Sequence, residues 1–304
     1  MIKDTFFVTV NPNAGAGKAG KDWPIIKEKL EQSGLKFELA VSQKHQENIS
    51  HVKSAIENGY RKIIAIGGDG TLHNVVNGIM QQNEVNSSEV KVGMISVGTG
   101  NDWVRHHEIP RDYDKAISVI AKGDTQLQDI GKLVYEEGKK HVHFMNFAGI
   151  GYDAYVVENT AHLKKYGQSA YLYGLVQCLF KYEAYPLKIE VDGKELMNEE
   201  IFLMIAGIGQ YAGGGMKLSP NAQSNDGLFD LNIGKKVSKT DIIMLTPKLF
   251  SGTYIEHEKV TSHKAKHIKV TPFSNEVKAE ADGELIGTGP FELSLVSNAL
   301  QFYK

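Results

Sequence analysis

A run of apolar residues that ends in a glycine-rich turn constrains the fold of this 304-residue chain more than any other feature. Residues 63–66 contain no polar side chain, and Gly67-Gly68-Asp69-Gly70-Thr71 follows them directly. A strand without polar alternation is typical of a parallel sheet that is covered on both faces. Apolar residues recur at helical spacing from about Leu72, so the turn is predicted to connect a buried strand to a helix.

Strands and helices alternate through the first 130 residues. Four short apolar runs are interpreted as strands, at residues 5–10, 36–41, 62–66 and 92–95, and helical periodicity separates them. Parallel strands need crossover connections of this kind, and these are almost always right-handed. The pattern therefore predicts a mostly parallel α/β domain over residues 1–130.

After residue 130 the pattern changes to strand-like runs joined by turns. The clearest case is Asp192-Gly193, which separates apolar runs at residues 187–191 and 201–208 and predicts a hairpin. Helical stretches interrupt the strands near residues 153–180 and 240–250. We predict an antiparallel β-sandwich-like domain with a few helices over residues 131–304. Whether the last residues return to the first domain stays open.

Composition restricts the partners and the compartment. The formal net charge of -2 gives no overall basic field of the kind that binds nucleic acid. Cys178 is the only cysteine, so disulfides within the chain are excluded and a cytoplasmic location is expected. No apolar run approaches the ~20 residues of a transmembrane helix, so any membrane contact is expected to be peripheral.

Glycine-rich segments follow the first and third predicted strands, where ligands bind in open α/β sheets. In the first segment, residues 11–18 and just beyond, Gly15, Gly17 and Gly20 match the spacing of a dinucleotide-binding fingerprint. That fingerprint requires an acidic residue after the second strand, and Ser42 stands there instead. The segment also lacks the Ser or Thr that follows the lysine of a Walker A loop.

Asp69, in the glycine-rich segment after the third predicted strand, indicates which ligands that segment binds. A carboxylate among phosphates is repulsive unless a divalent cation lies between them. Thr71 is a candidate to cap the following helix or to bond a phosphate oxygen. The fourth predicted strand ends in Gly98-Thr99-Gly100-Asn101-Asp102, and neighbouring parallel strands would bring Asp102 towards Asp69.

Together these three segments resemble the diacylglycerol kinase catalytic family, which includes bacterial lipid kinases and sphingosine kinases. The resemblance extends through Gly213-Gly214-Gly215-Met216, Pro220-Asn221-Ala222, the segment 225–230 and Asp282-Gly283-Glu284. It implies a nucleotide-binding α/β domain like those of NAD kinase and diacylglycerol kinase, followed by a lipid-substrate domain. Similar turns occur in NAD kinases and phosphofructokinases, but the downstream segments distinguish the chain from both.

Position by position, the resemblance implies an ATP site and a set of magnesium ligands. The implied ATP contacts are Asn11, Ser42, Gly67, Gly68, Asp69, Gly70, Thr71 and Thr99. Asp69, Asp102 and Asp129 are implied to surround a catalytic Mg²⁺. Asp226 and the backbone carbonyls of Gln223 and Leu228 are implied to hold a second, structural Mg²⁺. Glu284 is implied to be the general base.

The implied activity is transfer of the γ-phosphoryl group of ATP to the hydroxyl of diacylglycerol or a related lipid, at the inner face of the membrane. Two departures stand out: His73-Asn74 replaces the usual Asn-Glu, and Trp103 replaces Phe. The alternatives are a NAD kinase or other small-molecule kinase on the same fold, and a catalytically inactive nucleotide-binding regulator. The lipid and the oligomeric state stay open, a homodimer being one option.

Two further hypotheses concern the lipid. The apolar stretch 171–180 is a candidate to line a lipid-tail pocket or to dock on a bilayer, with Leu175 and Leu179 as its test positions. Local clusters of basic residues are candidates to attract anionic headgroups, with ordinary solvated charges as the alternative. These clusters are Lys164-Lys165, Lys181, Lys235-Lys236 and the run 257–269.

Overall fold

The computed structural model describes residues 2–44, 46–160, 163 and 168–304, and places the side chains of all of them except 168–172 and 239. Two compact units are present: Met1–Asp129 with Ser297–Lys304, and Ile130–Val296. Strands β5 (Thr125–Tyr135) and β15 (Phe291–Tyr303) each run from one unit into the other. The end of the chain thus completes the first unit.

The first unit is built on a parallel sheet, which confirms the predicted α/β class. Its strands lie in the order β4-β3-β1-β2, and the end of β15 pairs parallel to β4. The strands are β1 (Phe6–Val10), β2 (Phe37–Val41), β3 (Lys62–Gly67) and β4 (Lys91–Ser96). The helices are α1 (Lys18–Gln32), α2 (Glu47–Glu57), α3 (Asp69–Met80), α4 (Asp102–His106) and α5 (Tyr113–Lys122).

Burial on both faces explains the apolar run of β3. Ile63, Ile64 and Ile66 are all fully buried, and Ile64 and Ile66 pack in the same cluster as Ile26 and Leu30 of α1. Nearly every residue of α3 is buried as well. The central strand and the helix that follows it are therefore fixed in place by the core.

Two helices begin earlier than their apolar periodicity indicates, and one was not predicted. Helix α3 begins at Asp69, not near Leu72, because the chain enters it directly from the extended Gly68. Helix α1 begins at Lys18, directly after Gly17 in the left-handed region at φ 86°. The five residues of α4 are too few to show a periodic pattern. As a result Asp69, Gly70 and Thr71 form the first turn of α3.

The second unit is antiparallel, as predicted. Strands β14-β13-β7-β9-β8-β12-β15 lie side by side, and β10 pairs with β9 and β11. The predicted hairpin joins β8 to β9 through Asp192 and Gly193, at φ 49° and 80°. The remaining strands are β6 (Lys140–Phe144), β7 (Phe147–Gly151), β8 (Tyr185–Val191), β9 (Lys194–Gly207), β10 (Phe229–Lys235), β11 (Val260–Ala265), β12 (His267–Pro272), β13 (Lys278–Ala281) and β14 (Glu284–Thr288).

The α-helices of this unit, among the residues described, are α6 (Tyr152–Thr160), α7 (Gln168–Lys181), α8 (Lys239–Leu245) and α9 (Lys248–Ser251). Leu175 and Leu179 of α7 are buried in one apolar cluster with Ile242 of α8. They pack the core, so they are not suitable positions for testing a lipid-tail pocket. The side chain of Tyr171 lies outside the described residues. Within the described part of the chain, no helix is both long and apolar enough to cross a membrane.

Candidate active site

The three predicted segments meet at the ends of β1, β3 and β4. A Cβ atom built at Gly15 would lie 2.2 Å from the carbonyl oxygen of Val97, and one at Gly98 would lie 2.6 Å from Cα of Gly68. The side-chain amide of Asn11 donates to Oγ1 of Thr71 at 3.3 Å. Backbone therefore approaches backbone so closely that only glycine fits at Gly15 and Gly98.

The start of α3 has the form of an uncapped helix N-terminus among the described residues. Gly68 precedes the helix in an extended conformation, and no described side chain caps it. A Cβ atom at Gly67 would lie 2.2 Å from Oγ1 of Thr71, so Thr71 packs directly over the glycine. Thr71 is buried and does not cap the helix, contrary to one of the two roles predicted for it. Helix N-termini with exposed backbone bind phosphate through N–H groups and the positive end of the helix dipole.

Asp69 connects two of the segments. Its carboxylate oxygens accept hydrogen bonds from the backbone N–H groups of Asp102 and Trp103, each at 3.2 Å. These two residues begin α4, so Asp69 stabilises the positive end of that short helix. The sequence motif predicted proximity of Asp69 and Asp102. It gave no signal for a backbone contact, because α4 itself was not predicted.

The other two carboxylates of the predicted set also have protein partners. Oδ1 of Asp102 forms an ion pair with Nη1 of Arg105 at 2.7 Å. Oδ1 of the buried Asp129 accepts from the backbone N–H of Asn298 at 2.7 Å. Across the described residues, no group of three or more His, Cys, Asp or Glu side chains is arranged to hold a metal ion. The magnesium roles of Asp69, Asp102 and Asp129 stay predictions.

Ser42 and Thr99 occupy different environments. Ser42 is buried just after β2, and its hydroxyl donates to the carbonyl of Val10 at 3.2 Å. Thr99 is exposed in the segment after β4. The side-chain amide of Asn101, which has a positive φ of 52°, donates to the carbonyl of Gly98 at 2.6 Å and holds that segment in shape.

The two departures from the family pattern are both buried. His73 and Asn74 lie in α3, and the side-chain amide of Asn77 donates to the carbonyl of His73 at 3.0 Å. Trp103 is fully buried, and its indole N–H donates to Oε1 of Gln128 at 2.8 Å. Trp103 therefore retains an aromatic packing role at the start of α4.

Sequence reasoning missed the groups that surround Trp103. His107 and Phe302 lie against its ring, with centroids 4.7 and 5.0 Å away. Burial lowers the pKa of His107 well below its ordinary value, so the imidazole is neutral. Because Phe302 lies close to the end of the chain, no local motif pointed to this contact.

Glu284 lies in the second unit, as the first residue of β14. A tight turn precedes it, with Asp282 and Gly283 at φ 51° and 82°. Asp282 is buried, and Oδ1 and Oδ2 of its carboxylate accept from the backbone N–H groups of residues 145–147 at 2.9–3.3 Å. The Asp282-Gly283 turn therefore joins β13 to β14, and its aspartate is held in place by β7 and the residues before it.

Asp226 lies in the turn before β10. Its Oδ1 accepts from the backbone N–H of Leu228 at 3.0 Å, and its Oδ2 bonds Nζ of Lys264 at 3.1 Å. Lys264 also pairs with Asp230 at 2.8 Å, so a lysine already neutralises these carboxylates. Gln223 is exposed nearby in the chain. The second magnesium site of Gln223, Asp226 and Leu228 stays a prediction.

Family models match almost the whole chain. The diacylglycerol kinase catalytic domain matches residues 5–133, and the YegS C-terminal NAD kinase beta sandwich-like domain matches residues 146–304. An α/β unit with a glycine-rich turn before α3, followed by an antiparallel unit of this type, is the architecture of the kinases that these two models describe. The chain belongs to the diacylglycerol kinase catalytic family, and it is an enzyme of the lipid kinase class. The resemblance found in the sequence is confirmed.

Curated relatives agree with this assignment, and solved structures share the fold. The diacylglycerol kinase of Staphylococcus carnosus is 30% identical, covering 97% of this chain and 94% of the relative. The diacylglycerol kinase of Staphylococcus haemolyticus is 32% identical, covering 93% of this chain and 83% of the relative. A crystal structure of a diacylglycerol kinase from Bacillus anthracis shares the fold with a TM-score of 0.72 at 22% identity, covering 99% and 97%. The structure of an NAD kinase from Archaeoglobus fulgidus in complex with ATP shares the fold with a TM-score of 0.55 at 14% identity. The match covers 99% of this chain and 94% of that one.

Proposed function

We propose that the protein transfers the γ-phosphoryl group of ATP to the hydroxyl of diacylglycerol or a related single-hydroxyl lipid. The observation that carries this proposal is the convergence of three glycine-rich segments on the start of α3, in a chain of this family. Curated relatives named diacylglycerol kinase, which match nearly the whole chain, support the lipid as acceptor.

The nucleotide is proposed to bind the first unit. Gly67, Gly68, Gly70 and Thr71 would place backbone N–H groups and a hydroxyl against the phosphates, at the positive end of α3. Asn11, which already bonds Thr71, and Thr99 would border the same phosphates. Ser42, at the end of the neighbouring β2, would contact the nucleotide further along.

The oxygen donors of this site suit a hard cation. Mg²⁺ is usually held by one or two carboxylates together with substrate phosphates, so a cluster of three carboxylates is not required. Asp69, which bonds the backbone of Asp102, and Asp102 itself are proposed as two of the carboxylates, and Asp129 as a third. When bound, Mg²⁺ would neutralise the charge that develops on the phosphate oxygens.

Glu284 is proposed as the general base. The lipid hydroxyl oxygen forms a bond to the γ-phosphorus while the bond to the β–γ bridging oxygen breaks, and ADP leaves with that electron pair. The hydroxyl proton passes to the Glu284 carboxylate. A positioned base of this kind typically contributes about 10²–10⁴-fold to the rate.

Substitution of Glu284 and Asp69 tests these roles. Glu284→Gln should lower kcat about 10²-fold or more while KM for ATP changes little, because the amide cannot accept the proton. Asp69→Ala should abolish transfer, because it removes both the proposed magnesium ligand and the cap of α4. Transfer of labelled phosphate to diacylglycerol in detergent micelles measures both effects.

The control is Glu258→Gln, an exposed glutamate of the same unit, which should retain wild-type turnover. Circular dichroism would establish that each variant is folded. Retention of more than a tenth of wild-type turnover by folded Glu284→Gln or Asp69→Ala would contradict the assigned role.

A further inference from the structure

The turn that presents Glu284 is held by two buried carboxyl groups, those of Asp282 and Glu280. The carboxylate of Asp282 accepts hydrogen bonds from the backbone N–H groups of residues 145–147, the last of which begins β7. On the other side of the turn, Oε2 of Glu280 accepts from the backbone N–H of Gly283 at 2.7 Å. Glu280 is fully buried, and strand pairing between β13 and β14 shifts register at this residue. The amide that Glu280 holds lies one residue before Glu284.

Glu280 also faces a second carboxyl group. Asp153, in the first turn of α6, lies beside it next to Gly149. A Cβ atom at Gly149 would lie 2.4 Å from Oδ2 of Asp153 and 2.8 Å from Oε1 of Glu280, so both oxygens converge on one glycine. A residue with any side chain at 149 would displace the pair.

Glu280 is fully buried and Asp153 is half-buried, and two carboxyl groups this close disfavour each other's ionisation. Burial raises the pKa of Glu280 well above its ordinary value, and the charges of Asp153 and Asp282 raise it further. In its neutral form Glu280 can donate its O–H to Asp153, an interaction that also raises its pKa, while Oε2 accepts from the Gly283 N–H. Glu280 therefore acts as a bridge between α6 and the Asp282-Gly283 turn.

We propose that Glu280 is a positioning residue for Glu284: by holding the Gly283 amide from inside the hairpin, it fixes the backbone from which the base projects. This inference rests on the proposed role of Glu284. General-base catalysis requires the base to lie within hydrogen-bond reach of the proton it takes, so small displacements of the turn lower the rate.

Three substitutions separate the neutral hydrogen-bonding role from a role in packing or charge. Glu280→Gln keeps an oxygen for Gly283 and a donor for Asp153, and should keep kcat within about threefold of wild type. Glu280→Leu fills similar space without either bond, and should lower kcat at least about tenfold while KM for ATP stays within about twofold. Glu280→Asp keeps the carboxyl group on a shorter side chain, and its kcat should lie between those of Glu280→Gln and Glu280→Leu.

The matched control is Val270→Ala, a buried position of β12 in the same unit with no part in the hairpin. It should destabilise the unit while leaving kcat per folded molecule unchanged. If Glu280→Leu does not fold, the kcat of Glu280→Asp tests the positioning role instead. Wild-type kcat in folded Glu280→Leu or Glu280→Asp would overturn the inference, and so would a loss in Glu280→Gln equal to that in Glu280→Leu.

Glu284→Gln, measured in the same series, separates this inference from the proposed function. If Glu284→Gln is inactive and Glu280→Leu is wild type, only the positioning role fails. If Glu284→Gln is fully active, the base assignment fails and the positioning role fails with it.

Stability against pH gives a readout independent of turnover. Because folding raises the pKa of Glu280, its contribution to stability is complete below the ordinary glutamate pKa and declines as pH rises towards the raised value. In that window the unfolding constant of the wild type should rise about tenfold per pH unit relative to that of Glu280→Gln. If the unfolding constants of the wild type and Glu280→Gln changed with pH in parallel, a neutral buried Glu280 would be contradicted.

Discussion

At the scale of single residues, the proposed phosphate site depends on glycines where two backbones touch. Gly98 is the clearest case, because the atom that a side chain would meet is Cα of Gly68, which cannot rotate away. Gly98→Ala should therefore push the two segments apart. Overpacking of this kind costs about 1–3 kcal/mol. At about 1.4 kcal/mol per tenfold change in affinity, KM for ATP should rise roughly tenfold.

Gly234→Ala is the matched control, since a Cβ there would meet only ordinary contacts at 3.8 Å or more. Steady-state kinetics with varied ATP at saturating lipid measures the effect. An unchanged KM for ATP in folded Gly98→Ala would contradict the proposal that these two segments form the nucleotide site.

Single residues also show which contacts could be predicted from the sequence and which could not. The motif predicted Asp69 near Asp102, and the structure joins them. The contact runs from carboxylate to backbone N–H, and only the fold of a five-residue helix creates those donors. Glu280 was not predicted at all. Its importance comes from Asp153 and Gly283, and α6 is brought beside β13 only by tertiary packing.

At the scale of elements, long buried strands and hairpins were predictable, while helix starts were not. Glycine and threonine are weak helix formers, so the first turn of α3 was assigned to a loop. For α7, apolar composition alone did not distinguish core from surface. The structure buries Leu175 and Leu179 and exposes Tyr173 and Phe180 at 65% and 47%.

Ion pairs account for one of the predicted basic clusters, Lys235-Lys236. Lys235 pairs with Glu199 at 2.8 Å, and Lys236 pairs with Glu200 at 2.9 Å. Lys164-Lys165 lies outside the described residues. Membrane attraction is therefore better sought in exposed apolar side chains than in these lysines.

Exposed apolar residues lie on three helices that pack on one cluster: Tyr173 and Phe180 on α7, Ile243 and Met244 on α8, and Phe250 on α9. We expect this surface to meet the bilayer that carries the lipid. Ile243→Ser should lower the rate on diacylglycerol in phosphatidylglycerol vesicles severalfold and leave the rate on a short-chain, water-dispersed diacylglycerol unchanged.

Ile25→Ser is a close control, because Ile25 lies on helix α1 of the other unit with an exposure of 52% against 58% for Ile243. Equal vesicle rates for the two variants would contradict a membrane role for the α8 surface. Loss of both vesicle and dispersed activity in Ile243→Ser would point to a folding defect instead.

At the scale of the whole molecule, the class of each half was predictable from the alternation of its elements. The return of Ser297–Lys304 to the first unit was not, because β15 is one continuous strand whose two parts share a single pattern. Similarly, the fold does not by itself choose the acceptor, since an NAD kinase shares it. The family match and the downstream motifs favour a lipid.

One measurement tests the central claim most directly: transfer of labelled phosphate from ATP to each member of a panel of acceptors, under identical conditions. The panel contains diacylglycerol, monoacylglycerol and a sphingoid base in micelles, together with NAD in solution. We predict magnesium-dependent transfer to diacylglycerol or another single-hydroxyl lipid, and none to NAD above background. Transfer to NAD alone would contradict the account, and so would tight ATP binding without transfer to any acceptor.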